Sequence, residues 1–224
     1  MRLRAVIIEG WRRFGNWIPG DILRAMGRAG HDEVEIKLPV PDIAVLRRRL
    51  GQMGAQRLGR VHERNVLFDT PDAALRRAGK LLRLRWNNRS AVLTFKRRVA
   101  RKRGAAARFK VRHEIEFPVD GGKVAAVLAG IGFVPGFRYE KYRTSYRVAG
   151  ATHVKLELDE TPIGCFLELE GAPAAIDRLA RRLGYAAGDY ITANYLMLFR
   201  EHCRTKGLRA AHMLFPRHEK TGRL

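Results

Sequence analysis

Cysteine is scarce. The 224 residues hold two, Cys165 and Cys203, which excludes a disulfide framework and leaves no ligand spacing for a metal cluster. A reducing, cytoplasmic setting is the expectation. Long apolar runs are missing too. No stretch nears the roughly 20 residues needed to cross a bilayer, and the basic N-terminus, MRLRAVIIEGWRRFGNWIPG, lacks the apolar run of a signal peptide. Acids are half as many as bases, 22 against 44, and the net charge of +22 attracts polyanions: nucleic acid, polyphosphate, nucleotides or an acidic membrane surface.

What is present is globular, since the apolar fraction of 46% is too high for a disordered chain. Residues 1–30 match nothing that follows and are read as an N-terminal extension. Residues 204–224 are read as a basic tail, and 31–203 as the body. Helical spacing marks 41–54, where Ile43, Leu46, Leu50 and Met53 share a face and Gly54 stops the run. It also marks 121–133, 172–184 (Ile176, Leu179 and Leu183, closed by Gly184) and 191–202. Period-2 alternation marks strands at 33–37, 62–69, 81–86, 91–97, 111–118, 139–148, 152–159 and 165–170. Without regular strand–helix alternation a parallel sheet is excluded, and an α+β antiparallel sheet or barrel with helices outside fits.

The stretch Glu33-Val34-Glu35-Ile36-Lys37 sets two carboxylates on one strand face. Same-face neighbours lie about 6–7 Å apart, where like charges repel by roughly 2–3 kcal/mol if partly shielded from water. Other strands repeat the pattern. Arg83 and Arg85 oppose Leu82 and Leu84, Lys96 opposes Phe95, and Glu114 and Glu116 oppose Ile115. Lys141, Arg143 and Arg147 oppose Tyr142 and Tyr146; Asp159 opposes Leu158; Glu168 and Glu170 oppose Leu167 and Leu169. A single polar face is the ordinary wet side of an antiparallel sheet, but here nearly every strand carries ions. If the sheet closes with this face inward, acids and bases line one tunnel, at a cost unless they are paired. A polyanion carrying divalent cations satisfies both sets: arginine forks and lysines take phosphate oxygens, and carboxylates take Mg²⁺ or Mn²⁺.

These residues resemble the CYTH, or triphosphate tunnel metalloenzyme, family. EVEIK matches its ExExK signature, and LLRLR, LTFKR, HEIEF, YEKYRTSY and LELDETPIGCFLELEG follow in the family's order over about 31–200. The resemblance implies a closed eight-stranded antiparallel β-barrel with helices packed outside. It implies binding of a small-molecule triphosphate with one or two divalent metals, closest to the class IV adenylate cyclase and thiamine triphosphatase branch. Lys37, Arg83, Arg85, Lys96, Lys141, Arg143 and Arg147 are then expected on the phosphates, with Lys37, Lys96 and Asp159 catalytic. Glu33, Glu35, Glu168 and Glu170 are expected on one metal, and Asp159, Glu114 and Glu116 on a second. Where many members carry Lys or Ser before a C-terminal Tyr, this chain reads Thr192-Ala193-Asn194-Tyr195.

The reaction stays open at this level. Attack by water on the terminal phosphorus makes a triphosphatase, acting on tripolyphosphate, thiamine triphosphate or a nucleoside triphosphate. Attack by a ribose hydroxyl on the α-phosphorus makes an adenylate cyclase. A lesser reading is a polyphosphate or RNA binding module gripping through the basic loop 96–112, against which the paired acids and the sparse aromatics argue. The body acts as a monomer or homodimer in any of these readings.

Overall fold

In the computed structural model the chain divides into two units, Met1–His31 and Asp32–Leu224, and residues 30–88, 90–99 and 107–216 are described. The N-terminal extension, the middle of the basic 96–112 loop and the end of the tail therefore lie outside the described residues. No helix among the described residues is long and apolar enough to cross a membrane.

Eight strands form: β1 (His31–Val40), β2 (Gln56–Asp69), β3 (Lys80–Trp86), β4 (Ala91–Arg98), β5 (Lys110–Val119), β6 (Val134–Arg147), β7 (Lys155–Thr161) and β8 (Gly164–Glu170). They close into a ring in the order β1-β5-β4-β3-β2-β6-β7-β8, antiparallel from β5 round to β1. Strand lengths are uneven, 7 residues in β3 and 14 in β2 and β6, so the ring is α+β as expected but irregular at its rims. Five helices accompany it among the described residues: α1 (Ile43–Gln52), α2 (Ala74–Arg77), α3 (Gly121–Gly130), α4 (Pro173–Arg182) and α5 (Tyr195–Thr205).

Local sequence explains the helix ends. Asp42 caps α1 by accepting from the Ala44 and Val45 amides, and Asp120 caps α3 through Gly122 and Lys123. Pro173 opens α4, where its fixed φ suits the first turn. Gly184 follows α4 at φ +83, a left-handed conformation that favours glycine.

The apolar face of the ring is the outer one. Ile36, Leu38, Leu156, Leu158, Leu167 and Leu169 pack beneath Leu46 and Leu50 of α1, Ile176 and Leu179 of α4, and Leu183 just after it. On the other side Leu84 and Phe68 pack beneath Leu128 of α3. The hydrophobic effect thus works between ring and helices, and alternation turns the ionic residues inward. Part of the segment read as a tail is docked: Met213 is fully buried, its amide donates to the Arg138 carbonyl, and its carbonyl accepts from the Glu140 amide.

Candidate functional site

The inward faces meet in a nearly continuous circuit of ion pairs. Lys96 Nζ lies 2.6 Å from Glu33 and 3.1 Å from Glu114, reaching over β5 from β4 to β1. Lys37 joins Glu35 at 3.3 Å and Glu168 at 3.1 Å, and Lys110 also pairs with Glu35. Arg143 grips Asp159 with two nitrogens, at 2.7 and 2.6 Å, and reaches Glu168 and Glu157. Lys141 bridges Asp159 at 2.8 Å and Glu63 at 3.4 Å. Arg85 connects Glu63 to Glu116, and Arg83 donates to Thr94.

Burial and these partners set the proton affinities. Burial, then the neighbouring Glu35 and Glu114, push the Glu33 carboxyl up to about 7 against the pull of Lys96. Burial would raise Glu35 and Glu168 also, but Lys110 and Lys37 hold the first, and Lys37 and Arg143 the second, well below the usual carboxylate range. Glu63 falls to about 2 because Lys141, Arg143 and Arg85 outweigh its burial. Burial opposes the charge of Lys37, yet Glu168 and Glu35 raise it above the usual ammonium range.

The structure brings together most residues expected from the sequence: Glu33, Glu35, Lys37, Arg83, Arg85, Lys96, Glu114, Lys141, Arg143, Asp159 and Glu168. Glu116 and Glu170 stand at one rim, Glu116 exposed and Glu170 paired with Lys155 at 3.4 Å. Arg147 ends β6 exposed, apart from the circuit. Asp159, at 0% exposure, already accepts from Lys141, twice from Arg143 and from the Tyr195 hydroxyl at 2.6 Å. Four donors fill the lone pairs of a carboxylate, so its place is beneath the bases, holding them.

The site residues expected from the sequence leave out Glu63, Lys110, Glu157 and Tyr195. Lys110 and Glu157 share strand parity with Glu114 and Asp159, and that parity was the available signal; no expected site residue lies on β2 to mark the face of Glu63. Tyr195 sits in the first turn of α5, and no pattern in the chain points it at Asp159.

Two observations bear on a ligand. Asn65 is 1% exposed, yet its Oδ1 and Nδ2 have no partner among the described residues, nor has Arg83 Nε. Such buried orphans are costly unless something occupies the space beside them. On the acid side, no three acids among the described residues converge into a ready metal cage. The donor chemistry nevertheless fits a hard divalent cation: the carboxylates of Glu33, Glu35 and Glu114 repel one another, which adds to burial in raising Glu33.

Comparison with known proteins agrees with this geometry. The PH1012 protein of Pyrococcus horikoshii OT3 is 26% identical, covering 74% of this chain and 98% of that one, with a TM-score of 0.59. A Vibrio parahaemolyticus protein described as a candidate adenylate cyclase has the same fold at 19% identity and TM-score 0.61, over 78% of this chain and 99% of its own. So does a Hippeastrum protein named for adenylyl cyclase and showing a dominant triphosphatase activity, at 24% identity and TM-score 0.57, over 75% and 95%. No curated protein is similar in sequence. The CYTH domain model matches residues 31–192, the span that builds the ring and its ionic interior, and the chain belongs to the CYTH family.

Proposed function

We propose that the ring is a tunnel that binds a triphosphate together with Mg²⁺ or Mn²⁺ and hydrolyses its terminal phosphoanhydride bond. The carrying observation is the interior itself: Lys37, Arg83, Arg85, Lys96, Lys141 and Arg143 crowd one space with the unpartnered Asn65 and Arg83 donors. A chain of phosphates supplies acceptors to all of them at once. The triphosphatase activity of the Hippeastrum relative supports hydrolysis over cyclisation.

Phosphoryl transfer asks for positioning and charge neutralisation more than covalent chemistry. Lys96 and Lys37 would give up carboxylate partners to phosphoryl oxygens and neutralise the charge gathering on them. Asp159 fixes Lys141 and Arg143 as a rigid pair of donors, and Tyr195 fixes Asp159. Glu33, Glu35 and Glu114, with Glu168 nearby, would hold the divalent cation, which when bound neutralises phosphate charge and acidifies water. Water adds to the terminal phosphorus as the anhydride P–O bond breaks, releasing phosphate.

The test is turnover of the purified protein with tripolyphosphate, thiamine triphosphate and ATP, with each metal, assaying phosphate and cyclic AMP. Phosphate release from at least one substrate, abolished in Glu33→Ala and Lys96→Ala, is expected. Cyclic AMP with pyrophosphate would make the protein a cyclase instead.

A further inference from the structure

Arg112, Arg98 and Lys80 lie toward the end of the ring where β5 and β3 begin and β4 finishes. At that basic end is a chamber of about 490 Å³. It is built on the same strand faces as the ionic interior. Leu81 shares its face with Arg83, Phe137 with Lys141, and Arg98 with Lys96, while Met197 of α5 completes the wall.

The chamber differs from the interior in one chemical respect. Every interior base has a carboxylate partner. Around the chamber stand Arg76, Lys80, Arg98, Arg112 and Arg200, and none of them forms an ion pair among the described residues. Arg98 and Arg112 are even directly opposed across β4 and β5, a cross-strand like-charge pair that costs stability. Arg112 is steadied by donating to the Gly79 carbonyl at 3.0 Å, and a Cβ on Gly79 would meet Arg98 Cδ at 2.9 Å. The chamber's one acid, Asp69, spends its oxygens on the Thr70, Leu75 and Arg76 amides at the start of α2. Apolar walls with bases around them that lack a carboxylate partner among the described residues fit an anion carried on an apolar body.

We propose that this chamber binds a second acidic group of the substrate, borne on its organic portion, beyond the triphosphate held in the ring. This rests on the triphosphate reading of the interior and narrows it. The preferred substrate is an organic triphosphate whose organic group is itself anionic, and a cationic group such as that of thiamine triphosphate is repelled.

The experiment is calorimetric binding to the full chain. Adenosine 3′-phosphate 5′-triphosphate is expected to bind about tenfold or more tightly than ATP, and thiamine triphosphate more weakly than ATP. Arg98→Gln combined with Arg200→Gln, both exposed positions, is expected to erase the tenfold gain and leave tripolyphosphate affinity unchanged. A gain that is absent, or that survives in the variant, overturns the proposal. An equal gain by tetrapolyphosphate over tripolyphosphate, erased by the same variant, would assign the chamber to a bare phosphate chain and overturn the organic assignment. If tripolyphosphate neither binds nor is hydrolysed, the reading of the interior fails. Adenosine 3′,5′-bisphosphate then judges the chamber alone: binding lost in the variant upholds it, and no binding overturns it.

Discussion

Asp159 is the residue on which the circuit turns. It is fully buried and holds four donors, so removing it leaves Lys141 and Arg143 as uncompensated buried charges. Asp159→Ala is expected to cost about 3–5 kcal/mol in chemical denaturation, whereas Lys96→Ala, less buried, is expected to lower turnover by about a hundredfold or more with a smaller change in melting temperature. Glu63 gives a pH signature. Its folded proton affinity lies near 2 against the usual 4.5, so between those values the unfolded chain binds more protons and stability falls as pH falls. At 1.36 kcal/mol per tenfold change in proton affinity the contribution is on the order of 3 kcal/mol. Wild type should exceed Glu63→Gln by that amount at pH 7, and the gap should close between pH 4.5 and 2; a pH-independent gap would contradict the ion-pair origin.

At the scale of elements, the strands with one apolar face were legible because alternation writes that face into the chain. Ile36 and Leu38 beside Glu35 and Lys37 define both the core side and the ionic side of β1. The first half of β2 was not legible: Gln56 to Val61 is exposed throughout, so no hydrophobic period marks it, and a register shift between Arg57 and Gly59 breaks the alternation further. Helix α2 is four residues long, too short to show a period. The docking of Met213 on β6 was equally hidden, since a lone methionine in a basic stretch carries no pattern. Met213→Ala is expected to cost about 2–5 kcal/mol, read as a lower urea midpoint; an unchanged midpoint would mean that this segment contributes nothing to the ring.

For the whole molecule, the arrangement inverts the usual wet-side sheet. Helices cover the apolar outer face, and the charges that a surface sheet shows to water are enclosed. The sequence carried the signs of those charges and their faces, but not who pairs with whom, because pairing depends on a ring order that places β1 beside both β5 and β8. Lys110 went unseen because it lies one residue before the strand expected at 111–118, and Tyr195 because it reaches the ring from a helix. The large positive charge should also draw polyphosphates to the protein from a distance, so the apparent affinity for tripolyphosphate is expected to fall steeply between 50 and 200 mM salt. The most direct measurement is a calorimetric titration of the full chain with tripolyphosphate, with and without Mg²⁺, beside Lys37→Ala and Lys96→Ala. One triphosphate per chain, bound more tightly with Mg²⁺ and at least tenfold more weakly by each variant, is the predicted result. Binding that ignores both the metal and the two lysines would show that the ionic interior is a structural network and that the phosphates are held elsewhere.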